Sequence, residues 1–177
     1  KFSTMLSTIN KNIKVDCPVV GDAKSVISQL DEAIPLNFQP DKEDRDNWFE
    51  RIKKWEETHP TVATQNQKAI KTSYTIDLLS KITKGKAVVV TDVGQHQMWV
   101  AQYYQFQNPR NQITSGGLGT MGFGFPAAIG AKLGRPNDTV LAVCGDGSFQ
   151  MNMQEFSTAV ANNLDLKIVL INNGHHG

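Results

Sequence analysis

From residue 74 onward the apolar positions fall into two alternating kinds of pattern. Unbroken apolar runs occur in "AVVVTD" (87–92), "TVLAVC" (139–144) and "LKIVLINN" (166–173). Between them, apolar residues recur every three or four positions. The first kind predicts strands buried on both faces and the second predicts amphipathic helices. Helices are expected from about Tyr74 to Lys84, with Leu78, Leu79 and Ile82 inward and Gly85 as the stop; from about Gln95; from Pro126 to Leu133, closed by Gly134 and Pro136; and from Ser148 to Asn162, with Phe149, Met153, Phe156 and Val160 on one face. A short strand is expected at "QITS" (112–115). This rhythm predicts an α/β fold, an open and mainly parallel sheet with helices on both faces.

The pattern before residue 74 is less regular. Residues 15–34 read as a short strand and a helix, with Asp22 as cap and Val26, Ile27, Leu30 and Ile34 on one face. "PLNFQPDKED" reads as a linker. A helix is expected from about Asp46 to Thr58, carrying Trp48, Ile52 and Trp55, and a polar loop over 60–73. Trp48, Trp55 and Trp99 read as packing residues, and Glu155 as structural or interfacial.

Composition adds mainly exclusions. A net charge of +1 over 177 residues gives no basis for nucleic-acid or membrane-surface binding. No apolar stretch reaches the ~20 residues of a membrane span, and no signal peptide is visible. The chain starts without Met, so its first residue is expected to be a cut end. Cys17 and Cys144 have no metal-ligand spacing; both are expected to be reduced, Cys144 as a small buried hydrophobe, which fits the cytoplasm or an organelle matrix.

The candidate chemistry lies where strands end. In an open parallel sheet, ligands bind beyond the carboxyl ends of the strands. There the runs pass into Val93-Gly94-Gln95-His96, "GGLGTMGFG", Gly145-Asp146-Gly147-Ser148 and Asn172-Asn173-Gly174-His175. The helix following Gly147 would offer unpaired N–H groups to a phosphate. A carboxylate is out of place there unless Asp146 only caps the helix, or a cation lies between it and the phosphate. Mg²⁺ takes six oxygen ligands; Asp146, the amide oxygen of Asn173 and the main-chain carbonyl of His175 could supply three. The 24 residues between Gly147 and Asn172 suffice for one helix and one strand, which would return Asn173 beside Asp146. Plainer readings exist for each: Met121 as a core residue, His96 as a surface residue at a helix start.

Gly145-Asp146-Gly147 followed at this spacing by Asn172-Asn173 resembles the diphosphate motif of thiamine-diphosphate enzymes. "TDVGQHQMW" and "TSGGLGTMGFGFPAAIGAKLG" resemble, within that superfamily, the large catalytic subunit of acetolactate (acetohydroxyacid) synthases. The resemblance implies that residues 1–38 are the end of a central α/β domain with its linker. It implies that 39–177 are a thiamine-diphosphate-binding domain cut short at its C-terminus. Cofactor contacts are implied for Val93, Gly94, Gln95, His96, Gly119, Met121, Gly145, Asp146, Gly147, Ser148, Asn173 and His175, with Asp146, Asn173 and His175 on Mg²⁺. The implied activity is a transferase reaction in branched-chain amino acid biosynthesis, the decarboxylation of pyruvate and carboligation to a second 2-oxo acid. FAD is implied as a further cofactor of the whole protein. The implied partners are other copies, in a homodimer or homotetramer, and a small regulatory subunit. No catalytic residue is expected here, because the activating glutamate belongs to the N-terminal domain of a partner subunit; the chain alone is expected to be inactive. Two other readings stand beside this one: another thiamine-diphosphate-dependent decarboxylase or carboligase, and a non-catalytic nucleotide-binding module.

Overall fold

The computed structural model describes residues 2–39, 41–65 and 68–174. The chain divides into two compact units, one reaching to His59 and the other starting at Pro60. In the first, β1 (Phe2–Ser3) pairs in parallel with β2 (Val19–Val20), and two helices follow, α1 (Ala23–Ala33) and α2 (Lys42–Thr58). Asp22 caps α1 by accepting from the Ser25 amide at 3.1 Å. The second helix starts four residues before the expected Asp46, because Asp41 accepts from the amides of Glu43 (2.9 Å) and Asp44 (3.2 Å). Acidic residues in the first turn also suit the positive end of the helix dipole. The stretch read as linker therefore holds a helix start. Trp48 and Trp55 pack edge to face at 5.7 Å with Arg51 over both rings, yet stay about half exposed.

The second unit carries the core. Its elements are α3 (Thr72–Thr83), β3 (Val88–Thr91), α4 (Gln95–Tyr103), β4 (Gln112–Thr114), α5 (Gly124–Gly134), β5 (Val140–Gly145), α6 (Asp146–Met151), α7 (Phe156–Ala161) and β6 (Lys167–Ile171). The four strands form one parallel sheet in the order β4-β3-β5-β6. Alternation along the strands splits the apolar residues between two layers. Val88, Val90, Val140, Ala142 and Cys144 face α5 and α7; Val89, Leu141 and Val143 face α3 and α4. The expected fold is the observed one. After β3 the chain places β4 on one side and β5 on the other, so the strand order reverses at β3, and a crevice opens at the carboxyl ends of β3 and β5.

Three details differ from the pattern-based expectation. The inward face of α3 is Ile76 and Leu79 with Ser80 and Thr83, while Leu78 and Ile82 point outward. The inward polar residues are satisfied: Ser80 Oγ accepts from the Gln105 amide at 2.9 Å, and Thr83 Oγ1 lies 2.5 Å from the Tyr104 hydroxyl. A template that counts only apolar residues misplaces such a face. The helix expected over Ser148–Asn162 is broken into α6, a 3₁₀ turn (Met153–Glu155) and α7, with Asn152 at the break in a non-helical conformation (φ −134°, ψ 27°). Finally, β6 is not buried on both faces. Among the described residues it has one neighbouring strand, and Leu170 is about half exposed.

Candidate functional site

The crevice holds a cavity of about 280 Å³. Every described residue of the implied cofactor set except Gly119 lines it, together with Thr72, Trp99 and Ile171. His175 lies outside the described residues. Gly119 stands just behind the wall, and a Cβ there would be 3.9 Å from Val93 Cγ1. Trp99, read as a packing residue, belongs to the lining.

Sequence and geometry connect locally. β3 ends at Thr91, and the chain turns at Gly94 with φ +147°, a conformation that L side chains rarely adopt. This launches α4 with His96 in its first turn, and Gln97 Nε2 ties the helix to β4 by donating to Thr114 Oγ1 at 2.6 Å. The His96 ring lies against the backbone on two sides. A Cβ on Gly94 would come within 3.0 Å of it, and one on Gly145 within 3.1 Å. Far from being a surface residue at a helix start, His96 is 6% exposed. Its Nε2 is the one buried side-chain polar atom among the described residues with no hydrogen-bond partner. Burial pushes its pKa below the ordinary histidine value, against an opposing pull from Asp92 and Asp146. A buried polar atom without a partner is rare and calls for a ligand, water or ion.

Asp146 is the first residue of α6, and the cap is Gly145, which makes no side-chain capping bond. The capping reading of Asp146 therefore has no hydrogen bond behind it. α6 is only six residues long. An anion here would rely on the free N–H groups of the first turn more than on a long helix dipole. β5 and β6 pair in parallel up to Gly145↔Ile171, so Asp146 and Asn173 stand at the same end of adjacent strands, and both line the cavity. Carboxylate and amide oxygens are the donors that a hard divalent cation takes. Among the described residues no three His, Cys, Asp or Glu side chains converge, and the implied set needs only one carboxylate. The residues present thus fit a diphosphate bridged to Mg²⁺.

Sequence reasoning passed over Asp92. It is fully buried, and its carboxylate accepts three main-chain hydrogen bonds: Oδ1 from Val93 (2.8 Å) and Gly122 (2.9 Å), Oδ2 from Gly124 (2.7 Å). The available signal was a charged residue closing an otherwise apolar strand, one turn before His96.

Comparison with known proteins agrees with this geometry. Residues 92–177 match the family described as "Thiamine pyrophosphate enzyme, C-terminal TPP binding domain". The chain is 45% identical over 173 residues to the acetolactate synthase isozyme 3 large subunit of Escherichia coli (strain K12), covering 97% of this chain and 30% of that protein. It is 45% identical over 165 residues to the acetolactate synthase large subunit of Lactococcus lactis (93% and 28%). To the chloroplastic acetolactate synthase 1 of Nicotiana tabacum it is 43% identical over 169 residues (96% and 25%). The chain thus spans between a quarter and three-tenths of the length of these relatives. Residues 92–177 thus carry the C-terminal TPP-binding domain of the thiamine pyrophosphate enzymes.

Proposed function

We propose that this chain supplies the diphosphate and Mg²⁺ half-site of an acetolactate synthase, which decarboxylates pyruvate and joins the remaining two-carbon unit to a second 2-oxo acid. The observation that carries the proposal is the cavity at the strand-order reversal, where Asp146, Asn173 and His96, with its unpartnered Nε2, meet. In this reading Asp146 and Asn173, with the His175 carbonyl, hold Mg²⁺. The amides and side chains of Val93–His96 and Gly145–Ser148 receive the diphosphate. Gly119 and Met121 support the aminopyrimidine ring. Thiamine diphosphate, when bound, supplies the carbon nucleophile and an electron sink for the bond broken as CO₂ leaves. The chain's own part is to orient that group and, through Met121, Trp99 and Ile171, to keep one side of it out of water; such preorganisation is a large share of catalysis.

The same reading makes residues 1–38 the end of a central domain and 39–177 the diphosphate-binding domain. It places the whole protein in branched-chain amino acid biosynthesis, as a homodimer or homotetramer with a small regulatory subunit. The activating glutamate comes from a partner subunit, so the isolated chain is inactive. FAD is the second cofactor of the whole protein.

The test is Asp146→Ala in the full-length protein, with thiamine diphosphate affinity measured at limiting Mg²⁺ and acetolactate assayed from pyruvate. Loss of the only carboxylate of the set removes several kcal/mol of metal-supplied stabilisation, on the order of a hundredfold or more in affinity. Unchanged affinity would reduce Asp146 to a helix-end residue. A wild-type product other than acetolactate would shift the reading to another carboligase or decarboxylase. Phosphate-ligand binding that ignores Mg²⁺ would favour a nucleotide-binding module.

A further inference from the structure

We propose that Asp92 and Asn152 are positioning residues which together fix the turn from Gly119 to Gly124, and with it the place of Met121 in the cavity; this rests on the cofactor reading above. The two side chains grip consecutive peptide units. Asp92 holds the N–H of Gly122 through Oδ1 (2.9 Å) and the N–H of Gly124 through Oδ2 (2.7 Å). Asn152 Nδ2 donates to the carbonyl of Gly122 at 2.7 Å. The peptides 121–122, 122–123 and 123–124 are each held by one bond, immediately after Met121. On the other side of Met121 the turn is closed, among the described residues, by Ser115, whose carbonyl accepts from the Gly119 amide (3.1 Å) and whose hydroxyl accepts from the Thr120 amide (3.1 Å).

Both grips come at a structural expense that a mere anchor would not need. Asp92 takes a carboxylate fully out of water, which is unfavourable unless its oxygens are hydrogen-bonded. Asn152 sits at the break that ends α6 after six residues. The turn is also pressed directly against them. A Cβ on Gly122, where φ is +84°, would lie 2.7 Å from Asn152 Nδ2, and a Cβ on Gly124 would lie 2.6 Å from the Asp92 nitrogen. Apolar packing could hold the turn down, but directional bonds set the orientation of each peptide plane as well. Met121 itself is 39% exposed and belongs to neither apolar core cluster, so its position follows from the backbone on which it is mounted.

The test uses the full-length protein with three variants. Asp92→Asn keeps shape but turns a donor toward a main-chain N–H. Asn152→Asp turns an acceptor toward a carbonyl. Asn152→Ala simply lets go. Two readouts are taken: amide hydrogen exchange without any ligand, and the affinities of thiamine diphosphate and of inorganic diphosphate, both with Mg²⁺. The expected result is faster exchange at Gly122 and Gly124, with the amides of β3 and β5 unchanged. Thiamine diphosphate affinity should fall about tenfold for Asp92→Asn and about fivefold for Asn152→Ala. Inorganic diphosphate, which does not reach Met121, should bind within about twofold of wild type. Equal losses for both ligands, or loosening of the strand amides, would make the pair general stabilisers and overturn the proposal. Undisturbed thiamine diphosphate affinity in the variants, with normal wild-type binding, would overturn it alone. Wild-type protein that binds neither ligand would remove the cofactor reading and this proposal with it. Should Asp92→Asn not fold, the two Asn152 variants decide.

Discussion

The two rims of the parallel sheet both bury polar side chains and behave in opposite ways. At the amino ends of β3 and β4, Asn111 is 1% exposed and fully engaged. Its Nδ2 donates to the carbonyls of Lys86 (2.9 Å) and Ala87 (3.2 Å), and its Oδ1 accepts from Arg135 Nη1 (2.9 Å). Arg135 in turn pairs with Asp138. At the carboxyl ends, the glycine turns leave a cavity and His96 Nε2 has no partner. Burial is equally deep at both. What separates a structural rim from a binding rim here is hydrogen-bond satisfaction: one side is closed by its own side chains, and the other is a cavity lined by a nitrogen without a partner among the described residues.

That contrast can be broken experimentally. The largest effect is expected from Asn111→Ala, which strands two carbonyls and one guanidinium N–H. It should cost about 2–3 kcal/mol of stability with thiamine diphosphate affinity unchanged, as read from urea titrations and a binding isotherm. A matching loss of affinity would mean that the rims are not separable. At the other rim, His96→Leu removes the unsatisfied nitrogen and should stabilise the ligand-free protein by about 1 kcal/mol while weakening diphosphate binding. A lower melting temperature would show that Nε2 is satisfied in solution.

The same variant sharpens the comparison by pH. The folded-state pKa of His96 lies below its ordinary value of 6.5, so as pH falls the unfolded chain takes up a proton first. The wild type should keep its full stability above pH 6.5 and lose part of it below, until the folded-state value is reached; His96→Leu should lack that component. The smallest effect concerns Cys144, whose thiol burial pushes up to about 12. It should resist thiol reagents in the native state while exposed Cys17 reacts, so its labelling rate reports opening of the sheet beneath the site.

The sheet was legible because β3 and β5 are apolar at nearly every position, and α5 between them ends in glycine. The cavity was legible because four strand ends converge on one edge, whichever order the strands take. What escaped the pattern were contacts between residues distant in sequence. Leu78 and Ile82 read as the inward face of α3, whereas Ser80 and Thr83 turn inward because Gln105 and Tyr104 supply their partners. The break at Asn152 looks like uninterrupted helix until Gly122 is brought to it from thirty residues away. Asp92 read as a strand end because its partners, Gly122 and Gly124, lie beyond another strand. Periodicity encodes which face of an element is dry; it does not encode which polar group on that face has a distant partner.

The placement of β3 between β4 and β5 also has a consequence for the life of the molecule. One wall of the cavity follows β3 and the other follows β5, while the chain makes β4 and α5 in between. As the polypeptide emerges, the first wall therefore waits for the second, and non-local parallel pairing closes slowly. A ligand that needs both walls has no grip on the unfinished chain and strengthens only the finished one. On the proposed reading, scarcity of thiamine diphosphate would first appear as a shortage of fully folded protein, lost to proteolysis at its last assembly step, and only afterwards as a stock of idle enzyme.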